Sequence, residues 1–177
     1  NDTILTIRKI FHISNISNLA AITPTGAFRV SSKAHIDPLV MGAWIRLCEM
    51  PGDRKPPVHT QFSADRVDEL TQNLKAVMVS QSAELQKDIA DVLSSYGIKF
   101  SVVKNFRGAP VHGYISLGRD GSYHMVLTIR GAYADIFWFS LFHEIGHIVN
   151  GDISKVGVYI DTIEGLSLIH ISEPTRR

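Results

Sequence analysis

The chain has 177 residues, 45% of them hydrophobic, and a formal net charge of +1, which bounds it to one domain with an extension or two small ones, with enough apolar content for a buried core. Near-neutral charge excludes a strong electrostatic pull on nucleic acid or anionic membrane by the chain itself. A single cysteine, Cys48, excludes an internal disulfide and fits a reducing cytoplasm, and no uncharged apolar run reaches the roughly 18 residues that cross a bilayer.

The chain begins at Asn1 rather than Met, so the natural N-terminus is expected upstream. Thr3 to Phe11 sets Ile4, Ile7, Ile10 and Phe11 on one side of a short helix, and Asn15 to Leu19 adds a turn. Ala21 to Lys33, with Pro24 and Gly26, reads as a connector. Asp37 followed by Pro38 is a helix start; the helix should run to about Met50, packing Leu39, Val40, Ala43, Trp44 and Leu47. Cys48, within this run, reads as a small core residue. Pro51 and Gly52 should end the helix, and Lys55, Pro56 and Pro57 make a stiff linker.

Ser63 is the expected cap of a helix carrying Val67, Leu70, Leu74, Val77 and Met78 at helical spacing. Ser82 caps another, with Leu85, Ile89, Val92 and Tyr96 inward and Gly97 as its stop. After Gly97 the period changes from helix to strand: Ile98 to Lys104, Val111 to Leu117 and Tyr123 to Arg130 alternate, with Gly118 to Gly121 as the hairpin turn between the last two. Gly157 to Ile160 reads as one more strand. Three strands followed by a helix predict an α+β fold, a small antiparallel sheet of about three strands covered by helices.

The chemistry is concentrated between Asp135 and Gly151. Asp135 is the expected N-cap, apolar residues fill most positions from Ile136 to Val149 as in a buried helix, and Asn150 with Gly151 supplies a left-handed stop. His143, Glu144 and His147 form an H-E-x-x-H pattern. Positions four apart share a helix face, so His143 and His147 can bind one metal ion, while Glu144, turned about 100° around the axis, can reach a water on that ion as general base. Two imidazoles and a carboxylate suit Zn2+ best, and a catalytic zinc takes three protein ligands and one open position. Gly146 leaves room for another backbone or a substrate to approach the helix.

For the third ligand, Asp152 sits too close behind the helix stop. Asp161 and Glu164 follow the strand ending at Ile160, where the chain can return, and His170 and Glu173 lie further on. His112, beside Gly113 and Tyr114, can donate a hydrogen bond to a developing oxyanion on the strand where an extended peptide would pair. The plain alternative for His112 is a half-exposed strand histidine, and for the two helix histidines a pair satisfying core hydrogen bonds.

These residues together resemble a known family. Ile7 to Ser14, Ala27 to Arg29, Ala43 to Arg46, Gly97-Ile98, His112-Gly113 and above all Phe137-Trp-Phe-Ser-Leu-Phe-His-Glu144 look like the ImmA/IrrE-type zinc metallopeptidase domain, in the form carried behind a Xre-type helix-turn-helix in HigA-like antitoxin regulators. The resemblance implies a minimal zincin-like fold with a central H-E-x-x-H helix, zinc on His143 and His147, and Glu144 as catalytic base. It implies a bacterial cytoplasmic regulator without a membrane segment, DNA contact only through a domain preceding residue 1, and a toxin as a partner. Residues 1–57 would then link to that domain and 58–165 form the peptidase. The family's third ligand stands on a later helix with an E-x-x-A-x-x-F-A-like pattern, which this sequence does not have. Residues 166–177 instead resemble a translated sequencing-adapter string and are expected to be non-native. Two functions are expected: zinc-dependent hydrolysis of a peptide bond in a regulatory protein, or an inactive zincin-like domain that binds a partner or senses a ligand for an antitoxin.

Overall fold

The computed structural model describes residues 2–15, 18, 38–55, 58–104, 111–129, 134–153 and 158–162. The expected cap at Asp37, the connector at 21–33, most of the turn at 15–19, the prolines of the linker, Arg130, Gly157, Glu164 and the 166–177 tail lie outside these residues.

Among the described residues, five α-helices and four strands follow in the order α1 (Asp2–Phe11), α2 (Pro38–Arg54), α3 (Val67–Ser80), α4 (Leu85–Ser94), β1 (Ile98–Lys104), β2 (Val111–Leu117), β3 (Tyr123–Ile129), α5 (Ala134–Val149) and β4 (Val158–Thr162). The α+β expectation holds; the three-stranded antiparallel sheet does not. The sheet has four strands in the order β1-β3-β2-β4, with β1 parallel to β3 and the other pairs antiparallel. The short turn at Gly118 to Gly121 forces β2 and β3 together, with Gly118 N–H donating to the Ser122 carbonyl at 2.8 Å. β3 is buried at five successive positions, His124 to Thr128, as a strand covered on both faces is. β1 fills its other edge, starting where Tyr123 N–H donates to the Gly97 carbonyl at 2.9 Å.

Helices cover both faces of this sheet. On one face α3, α4 and α5 pack Leu70, Leu74, Ile89, Leu93, Trp138 and Leu141 over Ile98, Phe100, Ile115, Met125 and Leu127. On the other, α2 packs Met41, Trp44, Ile45 and Cys48 against Val111, Tyr114, Val126 and Ile160. α2 is therefore built into the same layers, with Trp44 and Cys48 fully buried.

Several boundaries move for local reasons. α2 runs through Pro51 to Arg54, because a proline removes one helix donor while the bonds around it can persist. Ser63 precedes a 3-10 turn, Ala64–Arg66, that leads into α3. Ser82 accepts from the Glu84 N–H at 3.1 Å, ahead of α4. Gly97 does stop that helical region, with φ at +83°.

Candidate metal centre

α5 begins at Ala134, so Asp135 lies inside its first turn, where a negative charge opposes the helix dipole. The helix lies on one face of the sheet, burying Trp138, Leu141, Glu144, Ile145 and Ile148 while Ile136, Phe139 and Val149 remain exposed.

His143 and His147 stand one turn apart with their Nε2 atoms 3.1 Å from each other. Two imidazole nitrogens on one tetrahedral zinc, each at about 2.0–2.1 Å, lie about 3.3 Å apart, so this pair fits two positions of such a site. Phe139 stacks on the His143 ring at 6.0 Å between centroids, and Tyr159 of β4 lies 4.1 Å from the His147 ring. Both rings are thereby held from the side, with only partial exposure.

Glu144 belongs to the same turn but faces the sheet and is 1% exposed. Gly113 of β2 makes the space: a Cβ added there would overlap Oε1 and Cδ of Glu144 and stand 3.0 Å from its Cγ. The β2–β4 register shifts between Val111 and Gly113. A bulge of this kind turns two successive residues toward one face. Val111 and Tyr114 accordingly share the α2 face, while Gly113 meets Glu144 and His112 lines a cavity with Phe137 and Ser140 of α5. His112 therefore lies on the Glu144 side of the sheet. The cavity, about 270 Å³, has otherwise mainly apolar walls that include Ile89, Val102 and Leu127.

Tyr114 is not brought to this site. It is 1% exposed on the opposite face, edge-on to Trp44 at 6.1 Å. His124 is also a core residue there, with its Nε2 3.3 Å from Ser101 Oγ. Nor can β2 be the rim for an extended peptide, because β3 and β4 occupy both its edges; among the described residues the outer strand beside His147 is β4.

Sequence reasoning set Asp152 aside, yet its Oδ2 lies 2.8 Å from His147 Nδ1. The signal was present in the helix stop. Gly151, at φ +71°, donates to the Ile148 carbonyl at 3.1 Å, and Asp152 N–H donates to the His147 carbonyl at 3.1 Å. This six-to-one closure is the Schellman pattern, which returns the residue after the glycine to the last turn. Gly146, by contrast, has no atom of another element within 4 Å of an added Cβ among the described residues.

Asp161 pairs with Gly113 in the β2–β4 ladder, which puts its backbone beside the strand residue that faces Glu144. Its side chain, like the whole of Glu164, falls outside the described residues. Among the described residues no group of three or more His, Cys, Asp and Glu side chains is gathered to hold a metal ion. The two imidazoles thus fit zinc, and a third ligand is not among these side chains. No described helix is long and apolar enough to cross a membrane. Comparison with protein-family models, with curated proteins and with solved structures returned no match to the chain.

Proposed function

We propose that this chain carries a zinc-dependent endopeptidase domain of the ImmA/IrrE type, serving a bacterial cytoplasmic regulator or antitoxin and cutting a peptide bond in a regulatory protein. The observation that carries the reading is the pair of Nε2 atoms 3.1 Å apart on one helix face, with a carboxyl enclosed in the same turn. A solvated helix has no need to enclose a carboxyl, since burying one is costly.

His143 and His147 would hold the ion, with Asp161 or Glu164 as the third ligand. Bound zinc supplies Lewis acidity, which makes water a nucleophile near neutral pH and polarises a carbonyl. Glu144 takes the proton from the attacking water and, held against Gly113, keeps one orientation while doing so. His112, on the same side of the sheet, donates a hydrogen bond to the oxygen on which charge develops. The apolar cavity that His112 lines suits an apolar side chain of the peptide, and the β4 edge offers backbone groups for its main chain.

The second reading is an inactive zincin-like domain that binds a partner or a ligand for a Xre-family antitoxin. Metal content and hydrolysis of a peptide library separate the two. The peptidase reading expects one zinc per chain, lost in His143→Ala, and turnover abolished in Glu144→Gln with zinc retained. Zinc bound without turnover in the wild type would leave the binding reading, and a wild type that binds no zinc under non-chelating conditions would overturn the metal reading.

A further inference from the structure

Resting on the zinc reading above, we infer that Asp152 is the positioning residue of the centre: it fixes the tautomer and the direction of the His147 ring so that Nε2 presents its lone pair to the metal. Three observations meet on this residue. Asp152 Oδ2 lies 2.8 Å from His147 Nδ1, on the ring edge away from His143. A carboxylate can only accept a hydrogen bond, so Nδ1 carries the proton and Nε2, in the neutral ring, does not. The other Nε2, that of His143, is 3.1 Å from the nitrogen so freed.

The carboxylate is itself held in place by backbone. Asp152 N–H donates to the carbonyl of His147, the same residue whose ring its side chain receives, and Gly151 takes the left-handed conformation that makes this closure. The anchor and the ring it orients therefore move as one unit at the end of α5. Tyr159, 4.1 Å away, flanks the His147 ring and limits its rotation out of this alignment. Carboxylate partners of this kind aim a ligating imidazole.

The test uses the whole chain and two readouts. In the metal-free protein at about pH 8.5, where an ordinary imidazole is neutral, nitrogen NMR of the His147 ring should show the Nδ1–H tautomer. Asp152→Ala should shift it toward Nε2–H. In chelator competition, Asp152→Ala should weaken zinc binding by about 10- to 100-fold. Asp152→Asn, which keeps an acceptor oxygen but not the charge, should fall between the two proteins in both readouts. A helix-stop role alone would lower thermal stability without moving the tautomer, because the Schellman bonds use only backbone. Unchanged zinc affinity in Asp152→Ala, or an unchanged tautomer, overturns the inference. A wild-type chain that takes up no zinc overturns the metal reading instead, and the ring spectrum, which needs no metal, distinguishes that failure from this one.

Discussion

Gly113 and Glu144 occupy each other's space: the carboxyl on α5 fills the volume that a side chain on β2 would need. Gly113→Ala should therefore destabilise the chain by about 1–3 kcal/mol, the usual range for overpacking. The cost should largely vanish in a Glu144→Ala background, since the two changes act on one contact. Urea unfolding of the four proteins of this cycle checks it; additive effects would show that the clash is relieved elsewhere.

His112 and Tyr114, two residues apart on β2, should behave oppositely. His112→Ala is expected to reduce peptide turnover by about 100-fold or more with zinc content unchanged, as for the loss of one oxyanion donor. Tyr114→Phe should leave both unchanged, because Tyr114 packs against Trp44 on the far face. Equal loss of turnover in the two variants would refute the assignment of faces.

Gly97 combines φ of +83° with backbone closing on it from another segment; an added Cβ would lie 2.6 Å from Phe62 N and 2.7 Å from Thr60 O. Neither contact can yield like a flexible side chain. Gly97→Ala should cost more than about 1 kcal/mol, from a conformation alanine resists plus the overlap. The midpoint of urea unfolding should fall accordingly.

Cys48 is fully buried in α2, and this burial pushes its thiol pKa far above the usual range, with Glu49 adding to the shift. The thiolate is the reactive form. The native chain should resist a thiol-specific chromogenic reagent at pH 8 to about pH 9 and react with one equivalent once unfolded. Prompt labelling of the folded chain would contradict the packing of α2 on the sheet.

The turn before β3 sets an acid limit. Lys99 Nζ at 2.9 Å and the Ser122 hydroxyl and N–H hold the Asp120 carboxyl well below the ordinary aspartate range. A carboxyl depressed on folding contributes stability above its unfolded pKa, near 4, and loses it as pH falls further. The side chain stays 36% exposed, so screening keeps the contribution under about 1 kcal/mol. Asp120→Asn should lower stability near neutrality and lose less of it between about pH 6 and about pH 2, measured by urea unfolding across that range.

The spacing of His143, Glu144 and His147 on one helix was legible from sequence because a helix fixes which side chains share a face within a turn. For the same reason Gly97 and Gly151 were legible as stops: both rest on interactions spanning a few residues. Asp152 was legible in principle, since the stop at Gly151 carries the next residue back toward His147. The sequence also determined which stretches are strands, through alternation that needs no partner. It did not determine their neighbours. β3 lies between β1 and β2 through a parallel pairing with β1 that joins stretches far apart in the chain. Strict alternation puts His112 and Gly113 on opposite faces; the bulge against β4 brings His112 to the side of Glu144 and leaves Tyr114 in the α2 core. A one-residue change of register exchanges the faces of a strand, and only the assembled sheet decides it.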